Sequence, residues 1–301
     1  MTAFPRISFL GANHAAQGRL RAAYARMEKA NERVSTGKLY SRPSENQSAS
    51  ARAARLQDQI DQLATFGRAV DDSRSRLSIA DTKTQQAVDL YHRVTELATQ
   101  ASTSTTSPAA RASIAVEIGE IRGELQSIAN SSYLGAPLFA GLQSGDAVVY
   151  DSGSSSWVFN GAPTDHLRRR VAAGEIVDVS ITAGELFSNG GNDIFTVLDD
   201  LTTALTSNNT TGIQASLGQV NGLRDTLSAG QARLGAALNR VEQAADRNAS
   251  VLVLSIAEMS RVEDVDLGDA ITDQGRLSMA YQAALGVTAK ANEQTLLDWW
   301  R

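Results

Sequence analysis

Cysteine is absent from all 301 residues. That excludes disulfide scaffolds, thiol nucleophiles and thiolate metal sites. Aromatic residues are scarce at 5%, although hydrophobic residues reach 42% and many of these are alanine. So few large side chains point to thin helix-on-helix seams rather than one thick core. The length implies two or three core-bearing segments. There is no basic excess: the formal net charge is −5, and nothing forms the cationic stripe of a nucleic-acid surface. No apolar run approaches the roughly 20 residues that span a bilayer. The opening MTAFPRISFLGANHAAQG lacks the continuous apolar stretch of a cleaved signal peptide. The expectation is a chain that does not insert into membranes. It is either cytoplasmic or exported by a route that reads no cleaved signal.

Proline is also rare. Pro5, Pro43, Pro108, Pro137 and Pro163 are the five, and none follows Pro163. Long helices are therefore possible before Pro43, from there to Pro108, and after about residue 190. Residues 12–36 carry Leu20, Tyr24, Met27 and Val34 at helical spacing. Gly37 then suits a left-handed cap, and residues 38–46 read as a polar turn around Pro43. From Leu56 a heptad appears. One seam position recurs as Leu56, Leu63, Val70, Leu77, Thr84, Tyr91 and Ala98. The other recurs as Gln59, Phe66, Ser73, Ala80, Ala87, Val94 and Ala101, and eleven of the fourteen are apolar. STSTTSP breaks it, and Ile114, Ile118, Ile121, Leu125 and Ile128 begin a second helix, completing a helical hairpin.

Residues 131–188 change character. Gly, Ser and Asp cluster there, around β-type runs at 147–150, 157–159 and 176–181. Helices then return. Asn192-Asp193 caps a short one carrying Ile194, Val197, Leu198, Leu201 and Leu205. A long seam follows from Ile213 to Val262 in alternating steps of four and three, with eleven of fifteen positions apolar. Residues 263–269 interrupt it. A last helix over about 269–298 carries the narrow seam Leu277, Ala280, Ala284, Val287 and Ala291. Small residues there let helix axes approach closely, and such a helix needs a partner to be stable.

The expected fold is mainly α with a small β-rich insert. It would be an elongated helical rod with its end helices paired as an antiparallel coiled coil and the β module at the opposite pole. The expected divisions are 1–44 with 264–301, 45–140 with 189–263, and an outer β-rich domain at 141–188.

Candidate chemistry is thin. His14, His92 and His166 lie far apart in unlike contexts. His92 and Glu96 share a helix face, but two ligands do not make a metal site. Asp264, Asp266 and Asp269 miss the calcium-loop spacing, and fit better as carboxylates at a helix N-terminus. Arg168-Arg169-Arg170 reads as a solvated turn or a subunit salt bridge. Ser35-Thr36-Gly37-Lys38 lacks the first glycine of a phosphate loop. No catalytic residue, cofactor or metal is expected. An enzyme with coiled-coil arms would need a pocket with perturbed titratable groups, and none is evident.

Arg33-Val34-Ser35-Thr36-Gly37-Lys38 with Arg42-Pro43-Ser44-Glu45-Asn46 resembles the N-terminal signature of the flagellin superfamily. Ser260-Arg261-Val262-Glu263-Asp264-Val265-Asp266, followed by the helix containing Ala289-Lys290-Ala291-Asn292, resembles its C-terminal signature. Within the superfamily, three features resemble the hook–filament junction branch, the third hook-associated type. These are Leu138-Phe139-Ala140-Gly141, the segments Gly184-Glu185-Leu186-Phe187 and Asn192-Asp193-Ile194-Phe195, and the ending Leu296-Leu297-Asp298-Trp299-Trp300-Arg301. The resemblance implies a structural subunit of the bacterial flagellum, exported through the flagellar channel into the extracellular structure. Its implied partners are copies of itself in a ring, the first junction protein, flagellin and a flagellar export chaperone. The alternative is the filament subunit itself. The implied assembly interface is Leu20, Tyr24, Met27 and Val34 with Leu277, Ala280, Ala284, Val287, Ala291, Leu296 and Leu297.

Overall fold

A computed structural model describes the backbone over residues 9–297 and the side chains over 14–290. In chain order the elements are α1 (Phe9–Thr36), a 3-10 turn (Pro43–Glu45), α2 (Gln47–Ser102) and α3 (Pro108–Ala129). Then come β1 (Ser132–Tyr133), β2 (Ala136–Pro137), β3 (Val148–Asp151), β4 (Ser156–Phe159), β5 (Arg168–Ala172) and β6 (Glu175–Asp178). After these follow α4 (Ala183–Phe187), β7 (Ser188–Asn189), β8 (Asn192–Asp193), α5 (Ile194–Thr206), α6 (Thr210–Glu263) and α7 (Leu267–Leu297). The protein is mainly α with a small β-rich insert. It divides into two compact units: residues 1–61 with 252–301, and residues 62–251. Helices α2 and α6 contribute residues to both.

The unit of residues 62–251 is built on the predicted heptad. From Leu63 to Ala101 every seam position of α2 is buried, including the polar Ser73 and Thr84. Both hydroxyls are satisfied by the carbonyl one turn back, Ser73 to Ala69 and Thr84 to Ala80, so their burial costs little. Ile114, Ile118, Ile121, Leu125 and Ile128 of α3 pack into the same core, as do Ile194, Leu198 and Leu201 of α5. Helix α6 runs antiparallel to α2, as the contacts of Gln231 with Gln85 (2.7 Å) and Arg74 with Glu242 (3.1 Å) require.

Helix ends follow local chemistry. Ser107 caps α3, with Pro108 at its first position, and the Asp193 carboxylate accepts from the Thr196 amide at 2.9 Å. Thr182 and Glu185 form a reciprocal capping box on α4. In the bend between α2 and α3, Arg111 is buried and donates to the carbonyls of Ala101 (3.0 Å) and Thr103 (3.0 Å). This cation satisfies carbonyls that a helix end leaves without partners.

The β-rich insert consists of four separate antiparallel hairpins: β1–β2, β3–β4, β5–β6 and β7–β8. The expected solvated turn at Arg168–Arg170 is instead strand β5, paired with β6 and bulged between Arg170 and Ala172. Two of its arginines are tied within the chain, Arg168 to Asp178 at 3.1 Å and Arg169 to Asp72 at 3.5 Å. Three charges hide a strand because an edge hairpin tolerates exposed charge, here with Asp178 opposite Arg168. The hairpins have no sheet core of their own and pack on the helices. Trp157, Phe159 and Phe187 surround Phe195 with ring centroids 4.9–6.0 Å away. Along α6, Arg233, Arg240 and Arg247 recur every seven residues. Arg233 meets Glu185 at 2.9 Å, Arg240 lies 3.9 Å from Glu175, and Arg247 pairs with Glu175.

Candidate functional site: the paired end helices

In the unit that joins the two ends, α1 packs against α7. The pairing is antiparallel: the Tyr24 and Tyr281 rings lie 5.6 Å apart, and Gln274 donates to Asn31 at 3.0 Å. On α7 the covered positions include the stripe Ala270, Gln274, Leu277, Tyr281, Ala284 and Thr288, with Asp273, Gly275 and Ser278 partly covered beside it. On α1 the matching stripe is Ala16, Leu20, Ala23, Met27, Ala30 and Val34, with Asn31 and Arg33 partly covered beside it. Both series step alternately by four and three, the spacing of a two-helix seam.

The residues expected at the interface are not all placed alike. Leu20, Met27, Val34, Leu277 and Ala284 lie along the seam. Tyr24 is half exposed and touches Tyr281. Ala280 and Val287 point away from α1, and Val287 is 70% exposed. The side chains of Ala291, Leu296 and Leu297 lie outside the described residues, as do Asp298, Trp299, Trp300 and Arg301. Tyr281, Gln274 and Ala270 were missed. Their signal was present, since they continue the seam through Leu277 by steps of three and four.

The α1–α7 contact is lean. Among the described side chains of the two helices, only Ala30 and Ala270 are fully buried, at 5% and 7% exposure. A buried methyl group contributes about 0.8 kcal/mol, so this seam alone gives little against the entropy of ordering two long helices. Large aliphatic side chains meanwhile stand outside it. Leu267, Ile271, Met279 and Val287 on α7 are 52–70% exposed, and Val253, Leu254 and Ile256 on α6 are 50–68% exposed. Exposed patches of this kind mark surfaces made to be covered.

The two helices are fastened where α1 ends. Gly37 takes φ +69°, and its amide donates to Arg33 O at 2.9 Å. The next residues turn alongside the end of α6. Leu39 N donates to Glu263 O at 2.7 Å, and Val265 N donates to Gly37 O at 2.9 Å, bracketing an antiparallel bridge between Lys38 and Asp264. The Lys38 ammonium donates to the Glu263 carboxylate at 2.7 Å. That hydrogen bond, with the charge of Glu263, raises the Lys38 pKa. Nearby, Lys29 lies 3.1 Å from Glu45, and this contact lowers the Glu45 pKa. Asp266 caps α7, accepting from the Gly268 amide at 2.8 Å. The two sequence signatures, more than 220 residues apart, are therefore the two halves of one clasp.

That clasp joins segments that two family models cover. Bacterial flagellin N-terminal helical region matches residues 7–144, and Bacterial flagellin C-terminal helical region matches residues 217–299. The chain belongs to the flagellin family. It is thus a structural component of the bacterial flagellum. Among curated relatives, the flagellar filament 31.3 kDa core protein of Treponema maltophilum is 24% identical over 267 residues, covering 88% of each chain. Among solved structures, flagellar hook associated protein-3 of Legionella pneumophila superposes with a TM-score of 0.64 at 16% identity. That match covers 69% of this chain and 98% of the other. FlgL of Xanthomonas campestris superposes with a TM-score of 0.61 at 19% identity, covering 68% and 99%. This flagellin-family chain shares their fold. Among its described residues no group of three or more His, Asp or Glu side chains could hold a metal ion. His92 and Glu96 both face solvent, and Glu96 is engaged by Arg93 at 2.8 Å.

Proposed function

We propose that this chain is the hook–filament junction subunit of its flagellum. It would form a ring on the first junction protein and offer the platform on which flagellin assembles. Its end segments 1–44 and 264–301 would serve as the assembly domain, 45–140 with 189–263 as the helical layer outside it, and 141–188 as the outer β-rich domain. Export would run through the flagellar channel, with a chaperone guarding the unfolded chain.

One observation carries this reading. The segment that resembles the junction branch, Leu138-Phe139-Ala140-Gly141, is the keystone of the β-rich insert. Leu138, Phe139 and Ala140 are all buried. The buried Arg76 donates to the carbonyls of Pro137 (2.6 Å) and Leu138 (3.3 Å). Gly141 takes φ +65°, and a Cβ there would lie 2.5 Å from the Asp165 carbonyl oxygen. Two solved proteins that share the fold are hook-associated protein-3 of Legionella and FlgL of Xanthomonas, which supports the same branch. The curated relative from Treponema is a filament protein, so the filament subunit is the reading to test against. Immunogold labelling of cells decides between them. A single band at the distal edge of the hook is the expected result, and labelling along the filament would overturn the proposal.

A further inference from the structure

Arg76 on α2 is 5% exposed, and among the described residues no carboxylate forms an ion pair with it. Its two hydrogen bonds, to the carbonyls of Pro137 and Leu138, both leave from Nη2. Nε is buried with no partner among the described residues, and Nη1 is unbonded but not sealed off. Asp72, one helical turn earlier, is drawn instead towards Arg169 at 3.5 Å. Burial lowers the Arg76 pKa, and Asp72 offsets this only in part. A guanidinium nevertheless stays charged in a protein. A buried charge without a counter-charge is costly, and a buried donor without an acceptor calls for a partner.

Arg76 lines a cleft of about 330 Å³ within the unit of residues 62–251, a size that suits a small ligand. The charged side chains lining it are Arg76 and Arg169 against Asp72, so two cations face one carboxylate and the net charge is +1. Tyr133, Leu134 and Leu142 line it as well. Leu134 is 86% exposed and Leu142 62%, which puts them at the rim. Leu134 also holds φ +51° at the turn between β1 and β2. That is the left-handed region, which leucine seldom adopts and glycine or asparagine adopts readily. Neither core packing nor the turn accounts for a leucine there, and backbone held in a sparsely populated region is a pointer to function.

The two observations define the missing occupant. A neutral or purely apolar molecule would leave Arg76 without a counter-charge. A dianion would exceed the single charge left over. We propose that this cleft binds a small organic monocarboxylate, its carboxylate meeting Arg76 and its short apolar body lying against Tyr133, Leu134 and Leu142. Carboxylate and guanidinium form the stronger, charge-assisted kind of hydrogen bond. The site is separate from the paired end helices and would serve a junction or a filament subunit alike.

The test is calorimetric titration of the full chain with sodium butyrate, sodium acetate, neutral butyramide and inorganic phosphate, at ionic strength matched with sodium chloride. Butyrate should bind at one site per chain, about tenfold tighter than acetate because two further methylene groups are covered. Butyramide and phosphate should bind far more weakly. Arg76→Gln should lose at least about tenfold in butyrate affinity, with circular dichroism confirming the fold. Two milder changes guard against a variant that merely unfolds. Asp72→Asn removes the opposing carboxylate and should tighten butyrate binding roughly threefold. Leu134→Asn with Leu142→Asn should leave the fold intact and erase the preference for butyrate over acetate. Butyrate should leave the sedimentation of the chain unchanged. The proposal is overturned if butyrate binds no better than butyramide or phosphate, or if Asp72→Asn fails to tighten it. It is equally overturned if the double leucine variant keeps the butyrate preference. Release of monomer from a self-complex by butyrate would make a second copy's carboxylate the occupant, and would overturn it too. Each of these failures would leave the flagellar role standing.

Discussion

Gly141 and Gly161 sit where two loops cross. Gly161 takes φ +94°, and a Cβ there would lie 2.6 Å from the Ala140 carbonyl oxygen. The obstacle is backbone, which cannot rotate aside, and the conformation is one L side chains disfavour. Gly161→Ala should therefore destabilise the unit of residues 62–251 by about 1–3 kcal/mol, read as a lower urea midpoint. Gly145, also at positive φ but with open space around it, should lose less on the same change. The clasp gives a second residue-scale expectation. Lys38 has its pKa raised by Glu263, so its contribution is present below the unfolded value and fades as pH rises through the folded one. Glu45 has its pKa lowered by Lys29, so its contribution is present above the unfolded value and fades as pH falls through the folded one. Glu263→Gln should abolish the alkaline part and leave the acid part, as thermal melts across pH would show. Both groups are well exposed, so each effect is small.

Helices are where the sequence was most legible and also where it misled. The α2 seam could be read residue by residue, because Leu63, Val70, Leu77 and Tyr91 are large, and their burial follows directly from period. On α7 the same reasoning ran into alanine. Ala280 and Tyr281 are neighbours, and stripes through either continue from Leu277 with good spacing. What decides between them is the Tyr24 ring on α1, which no local pattern discloses. The short hairpins β1–β2 and β7–β8 are two residues per strand, too brief for any alternation to register. The buried Arg76 and Arg111 were equally invisible, since their partners are backbone carbonyls, of a distant turn for Arg76 and of the end of the preceding helix for Arg111. Ala284 is covered in the seam, so Ala284→Arg should open the α1–α7 pair while leaving the core of residues 62–251 folded. Its mark would be loss of assembly and of swimming, with the main thermal transition retained. A variant that still swims would show that the seam is dispensable.

At the scale of the molecule, the unit of residues 62–251 is one continuous stretch of chain, and the other unit is assembled from the two ends. The continuous stretch holds nearly all of the large buried side chains, among them Tyr91, Phe139, Phe187, Phe195 and Leu125. A fragment of residues 62–251 should fold alone and melt cooperatively. The end helices, whose fully buried seam residues are alanines, should lose protection first in hydrogen exchange on the full chain. A fragment that melts without a cooperative transition would mean that the ends are required for the core.

The bridge at Lys38 and Asp264 also turns the intervening chain into a closed loop. The entropy of closing a loop grows only with the logarithm of its length, so doubling the enclosed chain costs about 0.6 kcal/mol. Once a fastening has met the cost of so long a loop, it is nearly indifferent to further residues. The exposed turn at Ser152–Ser155 between β3 and β4 is thus a place where the chain could be lengthened greatly, by evolution or by insertion of a foreign domain, while the ends stay joined as before.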